Sequence, residues 1–459
     1  MNRITPAWSM FILLFLTQFV LGEDWPNWLG PNGDGSWTEE GILEEIPETG
    51  LKELWTTEIN GGYSGAVISN GRLFVMDFVK SPKKPEGEEA APANRGGPSG
   101  RERILCLDSS TGDELWQYSY ETILDVSYPG GPRTSPVVDN DKLYCLGTMG
   151  QLICLSTATG EVIWEIDLAD RFNTKPPIWG YAANPLIVGK QLICLAGGEN
   201  AGVVSLDKLT GDLQWSNITA QEIGYAPPVM SKIAGTEQLV VWYDVAVSGL
   251  DIESGKVLWE HKFPSVKPIR PIVSIVPPHV SGNKVFLSNF YHGSALISIE
   301  SDGPKELWNT EKSKGHRDDI NSIMSTILLD DGCYIGVAGN GELRCVDAET
   351  GELVWQSYRS LATTEEDPEV LPRGFKGFAS MFMTPHEGKY WMFTDQGELI
   401  LGDVTREGYF EQGRAKLLET TGTTRGRKYV WCPPAFSGGK IFVRNEKKLV
   451  CVDLRASSY

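Results

Sequence analysis

Histidine is scarce in this sequence. The five residues His261, His279, His292, His316 and His386 are spread so that no two lie closer than 13 positions. No His-x-x-x-His or Cys-x-x-Cys spacing occurs, so the usual zinc-ligand motifs are excluded. Positive charge is also short: 41 Lys and Arg stand against 60 Asp and Glu, a net charge of −19 and a pI near 4.8. A surface of that sign repels phosphate backbones and anionic headgroups, so nucleic acid is not an expected partner. The two short basic stretches, Lys83-Lys84 and "RGRK" from Arg425 to Lys428, read as solvated loops.

Long apolar runs are missing after the first two dozen residues. The single such run, Met10 to Leu21, follows Arg3 and ends in small residues at Val20 and Gly22, the pattern of a secretory signal peptide over 1–22. It is too short for a confident membrane span, and no Cys follows it to carry a lipid. Export to the periplasm or the cell exterior is therefore expected, with no transmembrane segment in the mature chain. Eight cysteines in an exported protein raise the question of disulfides. Cys145 and Cys154 in "LYCLGTMGQLICL" would face each other across a two-residue hairpin, as a disulfide or as two buried small apolar side chains; the second is the expectation. Nucleophile and calcium motifs are missing too. "GGYSG" around Ser64 lacks the Gly-x-Ser-x-Gly spacing, and "NGDG" from Asn32 to Gly35 lacks the acidic spacing of a calcium loop and reads as a turn.

What the chain has in plenty is tryptophan, 15, and glycine, 50. Both recur in "DSSTGDELW" (Asp108 to Trp116), "STATGEVIW" (Ser156 to Trp164), "DKLTGDLQW" (Asp207 to Trp215) and "DIESGKVLW" (Asp251 to Trp259). Related stretches end at Trp55, Trp308 and Trp355. From Trp116 onward the steps are 48, 51, 44, 49 and 47 residues, while the first interval, from Trp55, is 61. That longer interval holds a Pro/Gly/charge-rich insertion over 80–103, which reads as a flexible loop. A period of 40 to 50 residues carrying four short strands is that of a β-propeller blade. Within each motif, Gly supplies the left-handed corner and Asp and Thr bond the turn's own amides. Trp stands on the outer strand to dock on the next blade. Burying about 200 Å² of indole contributes at most about 5 kcal/mol, so Trp55, Trp116, Trp164, Trp215, Trp259, Trp308 and Trp355 are assigned to architecture.

The expected fold is all-β: an eight-bladed propeller over 51–459, preceded by a leader segment over 23–50. Blade seven, "GDVTREGYFEQGRAKLL", has no Trp and puts Tyr409 and Phe410 near its place. The C-terminal segment from Tyr429 supplies only three strands, so the ring should close by pairing with "LKELWTTEI" (Leu51 to Ile59), leaving no free edge.

These motifs resemble the pyrroloquinoline-quinone-like (PQQ-like) repeat, and the chain is similar to the exported PQQ-binding-like β-propellers of bacteria. That family includes quinoprotein alcohol dehydrogenases and a propeller lipoprotein of outer-membrane β-barrel assembly. The resemblance implies PQQ with calcium as cofactors, held in the dehydrogenases by a Trp floor, a disulfide of two adjacent cysteines, and Glu, Asn and Asp side chains. No adjacent Cys-Cys pair exists here, and Asn184, Glu199, Asn200 and Asp319 are the pieces that could be named.

In a propeller, the loops entering the inner strands form one mouth of the central channel. The corresponding stretches bring Tyr63, Arg133, Trp179, Tyr181, Tyr225, Arg270, Asp319, Lys376 and Trp431 toward a shared rim. Aromatic faces beside Arg and Lys suit a planar or anionic ligand. The expected role is thus a monomeric binding or scaffolding module for a protein, peptide or carbohydrate of the cell envelope. A degenerate PQQ-dependent oxidoreductase and an outer-membrane assembly partner are the alternatives.

Overall fold

The computed structural model describes residues 22–82, 96–311, 318–361, 379–424 and 426–459. Eight four-stranded antiparallel sheets form the ring. Blade two shows the pattern: an inner strand Val137–Asp139, then Lys142–Leu146, Gln151–Ser156 and an outer strand Val162–Asp167. The two middle strands are buried on both faces, as a sheet pressed between neighbours must be. The eighth blade is made from both ends of the chain. Glu53–Glu58 pairs antiparallel with Lys448–Asp453, Trp55 opposite Cys451, and so supplies the outer strand missing from the C-terminal segment. No helix among the described residues is long and apolar enough to cross a membrane.

The repeated motif builds both halves of a joint between blades. In each of the seven blades that carry the tryptophan, a β-bulge falls on the residue before it, turning the indole inward toward the next sheet. Trp116 lies on Gly160 of the following blade, where an added Cβ would sit 2.5 Å from the ring. Its Nε1 donates to the Thr157 carbonyl at 3.1 Å. The same arrangement joins Trp55 to Gly112 and Ser109, Trp164 to Gly211 and Lys208, Trp215 to Gly255 and Ile252, and Trp308 to Gly351 and Ala348. Each receiving glycine is left-handed, with φ between 67° and 78°, so the backbone bend and the bare Cα are required at one position.

Three joints depart from the pattern. Trp355 keeps the bond to a carbonyl of the next blade, donating to Thr405 at 2.9 Å, but no glycine among the described residues lies against its ring. Trp259 faces blade five, whose last two strands meet in a two-residue turn between Glu300 and Gly303. Its Nε1 turns back to the Gln238 Oε1 of its own blade at 2.7 Å. In blade seven the bulge puts Gly413, not Tyr409 or Phe410, at the tryptophan position, because the irregularity falls between the partners of Leu401 and Gly402. Tyr409 is buried and Phe410 is 52% exposed. The leader supplies the missing bulk: Ile46 packs on Gly413, where a Cβ would meet it at 2.9 Å.

All eight cysteines are free and buried. Cys145 pairs in register with Ile153, and Cys154 with Tyr144, so the two point to opposite faces rather than at each other. Cys106, Cys154, Cys345 and Cys451 fill one repeated slot opposite a docking tryptophan, where a small side chain leaves room for the indole. The expected insertion over 80–103 is shorter than its composition suggests. Ser99–Asp108 is a strand that pairs with Arg72–Lys80 as far as Lys80 opposite Gly100, and 83–95 lie outside the described residues. "RGRK" is no free loop either: Arg427 is buried and pairs with Asp395 at 2.7 Å; Arg425 and the Lys83-Lys84 pair are not among the described residues.

Trp116→Ala should cost about 3–5 kcal/mol in urea unfolding. Gly160→Ala, strained at φ 73° and pressed on the ring, should cost less in the Trp116→Ala background than alone. A second outcome concerns pH. Asp347 accepts from the Glu349 and Thr350 amides and from Arg406 of the next blade, and the Arg406 bond holds its carboxyl at about 2. A depressed carboxylate stabilises fully above its unfolded value and loses that contribution as pH falls through the folded one. Asp347→Asn should therefore lower Tm at pH 6, and its gap to the parent should close toward pH 2.

Candidate functional site

The loops entering the inner strands converge on a cavity of about 260 Å³ at one end of the channel. Tyr63, Arg133, Trp179, Tyr225 and Trp431 line it together. Two aromatic groups face across the entrance. On one side Trp431 stacks on Tyr429 with centroids 3.6 Å apart, and Tyr63 and Tyr128 pack against Trp431. On the other, Trp179 and Tyr225 are 5.0 Å apart. Arg133 lies between, its guanidinium carbon 5.3 Å from the Tyr63 ring centroid.

Local backbone explains the placement of Arg133. The loop Ser127 to Gly131 turns through left-handed Tyr128 and Gly131, which aims three carbonyls at the guanidinium. Arg133 donates to Gly131, Ser127 and Tyr128. Of its five N–H groups, two remain without a partner among the described residues. No carboxylate there pairs with it directly. Glu102 is the acid behind it, wholly buried and bonded by Tyr120 and the Thr148 amide, and burial pushes its carboxyl above the usual range. Burial likewise raises the phenols of Tyr63, Tyr225 and Tyr429, so these rim hydroxyls stay protonated and able to donate.

The remaining predicted residues are elsewhere. Tyr181 is 2% exposed, over Gly150, and its hydroxyl donates to the Ala196 carbonyl at 2.9 Å. It is a core residue: the stretch before the inner strand Leu186–Val188 turns through left-handed Gly180, φ 72°, so Tyr181 is buried while Trp179, Ala182 and Asn184 line the cavity. Arg270 is consumed by Glu222 at 2.9 Å and Asp244 at 2.6 Å. Asp319 is buried, accepting from the Ser294 amide and Thr310. Lys376 lies outside the described residues. Trp28, Tyr128, Ser380 and Phe382 join the cavity unforeseen. Tyr128 is signalled by its place five residues before Arg133 in "SYPGGPR"; Trp28 carries no such signal, since it comes from the leader.

The leader crosses the far ends of the inner strands. Trp25 bridges Ile68, Pro26 accepts from Val138, and Trp37 bonds Pro385 and packs on His386 and Phe436. Trp28 thereby reaches the cavity from below.

A family model described as outer membrane protein assembly factor BamB matches residues 100–357, more than half of the chain. The chain belongs to this family of PQQ-like repeat propellers. Among curated proteins it is 25% identical over 224 residues to the outer membrane protein assembly factor BamB of Nitrosomonas eutropha, covering 48% of this chain and 50% of that one. It is 26% identical over 182 residues to the quinoprotein alcohol dehydrogenase PedH of Pseudomonas putida, covering 37% and 30%. The chain thus spans about half or less of these curated relatives. Among solved structures, BamB from Moraxella catarrhalis superposes with a TM-score of 0.57 at 13% identity over 88% of this chain and 99% of that one. A europium-containing methanol dehydrogenase superposes at 0.53 and 12% identity, over 94% and 89%. At these identities the superpositions establish the fold.

The cavity does not fit the cofactor set that the family's dehydrogenases imply. Of Asn184, Glu199, Asn200 and Asp319, Asn184 alone lines it, and its Oδ1 is taken by the Ser135 amide at 2.7 Å. Among the described residues no group of three or more His, Cys, Asp or Glu could hold a metal ion. No Asp or Glu is among the described lining residues. Tyr181→Phe should leave binding at the mouth unchanged while costing about 1 kcal/mol of stability by unpairing the Ala196 carbonyl, measured by urea unfolding.

Proposed function

We propose that this chain is an exported propeller that works by recognition, holding its ligand at the channel mouth rather than transforming it. One observation carries the reading. Arg133 has no carboxylate partner among the described residues and sits between two aromatic groups at the entrance to an apolar cavity. A half-buried guanidinium that keeps open N–H groups beside an apolar cavity is placed to bond an anionic or polar group of a ligand. Export is supported by the apolar segment from Met10 to Leu21 and by relatives whose names attach them to outer-membrane assembly. Those names favour a second reading, in which the mouth or the outer face holds an assembly partner, and the propeller acts as a monomeric scaffold. Quinone catalysis is disfavoured by the absent adjacent cysteines and by a cavity whose described walls carry no carboxylate.

The test is a tryptophan-fluorescence screen of the mature chain against small acids, sugars, envelope peptides, and PQQ with calcium. Saturable ligands should weaken by about tenfold or more in Arg133→Ala and Trp179→Ala, the equivalent of 1.4 kcal/mol. Ligands that ignore both substitutions would place the working surface elsewhere. Micromolar PQQ binding with dye reduction by an alcohol or sugar would establish catalysis instead.

A further inference from the structure

The cavity is chemically lopsided, and that asymmetry narrows what it can hold. Arg133 is the one charged group among its described lining residues, in a chain whose net charge is −19. Polar contact is concentrated on one side, where Arg133, Ser135 and Asn184 of blades two and three meet the phenols of Tyr63 and Tyr225. The opposite wall, from blades five to seven, is apolar: Val273, Ile275, Ile323, Met324 and Phe382. Two hydroxyl-bearing residues interrupt the apolar side, Tyr291 and Ser380. Ser380 is 3% exposed, and its Oγ has no partner. A buried hydroxyl left without a partner is unfavourable, so the place of Ser380 among the cavity's lining residues is a second sign of a ligand.

We infer that the mouth binds a small monoanionic acid, its single carboxylate on the open N–H groups of Arg133 and its apolar body against the wall of blades five to seven. The inference rests on the reading of the mouth as the binding site and adds the ligand class. Each competing chemistry leaves something unpaired. A cation meets Arg133 and finds no acid among the described walls. A free sugar sets its hydroxyls against aliphatic side chains that cannot bond them. A molecule with several anionic groups finds one cation for all of them. The volume is just below the range of about 300 Å³ at which ligand pockets begin, which favours a small body. The body can be aryl or alkyl, since Trp179 and Trp431 present ring faces and Ile275, Ile323 and Met324 present aliphatic ones.

Three isosteric probes separate these chemistries on the full mature chain: 4-phenylbutyrate, 4-phenylbutyramide and 4-phenylbutylammonium, followed through tryptophan fluorescence. The acid should bind about tenfold more tightly than the amide, and the ammonium more weakly than either. Arg133→Gln should bring acid and amide within about twofold of each other, with the amide's own affinity held. Trp179→Ala should weaken both. Decanoate in place of the aryl acid distinguishes an alkyl body from an aryl one. Equal binding of acid and amide, with Trp179→Ala still weakening both, overturns the ligand class and leaves the mouth as a binding site. No saturable signal from any probe, with Trp179→Ala and Arg133→Gln folded and indistinguishable from the parent, overturns the class and the site together. A far-ultraviolet spectrum and urea midpoint for each variant separates lost binding from lost fold.

Discussion

The structure depends on one contact made repeatedly: an indole face lying on a bare glycine of the next blade, with its N–H held by a carbonyl beside it. A propeller blade is a small twisted sheet that cannot bury both faces alone, and so is stable only between neighbours. The Trp116–Gly160 joint shows why two residue types are bound to one motif. Glycine is needed twice over there, for a φ of 73° and for the absence of a Cβ that would collide with the ring. Tryptophan is needed twice over, for area and for a donor that would otherwise be buried without a partner. The closing joint uses the same parts: Trp55, on the strand that completes blade eight, docks on Gly112 of blade one.

Where the parts are missing, other groups take over, and these substitutions tie the leader to the ring. Gln238 satisfies Trp259 where blade five has too short a turn to offer a carbonyl. Ile46 fills the space above Gly413. The leader continues past the inner strands of blades one, two, seven and eight, with Glu39 accepting from the Gly438 and Gly439 amides and Trp28 reaching the channel. One end of the channel is thus crossed by structural contacts, and the other is lined by aromatic rings and one guanidinium. A rigid ring holds these side chains at fixed separation, which is what recognition of a small ligand requires.

Much of this was legible from spacing alone. The tryptophan interval gave the blade length, and the three-strand C-terminal segment beside an unused "LKELWTTEI" gave the closure. Five of the nine rim residues do meet at one cavity, because the loops that enter inner strands share one end of any propeller. The misses have physical causes. Tyr181 follows Trp179 by two positions, but the left-handed turn at Gly180 between them sends one side chain to the cavity and the other to the core. Arg270 and Asp319 are the right residue types at the right end, but each is consumed by partners distant in sequence, Glu222 and Asp244 for one, Ser294 and Thr310 for the other. Gly413 was hidden because a bulge displaces the register by one residue without a mark in composition.

The sequence by itself determined the repeat, the number of blades and the way the ring is sealed, since these follow from side-chain volume and turn chemistry that recur at fixed intervals. The tertiary structure alone decided which polar groups remain open, because pairing depends on distances between residues far apart in the chain. Arg133 and Arg270 read alike as letters. One is neutralised by two carboxylates and the other faces an apolar cavity with carbonyls behind it, and only the folded ring separates them.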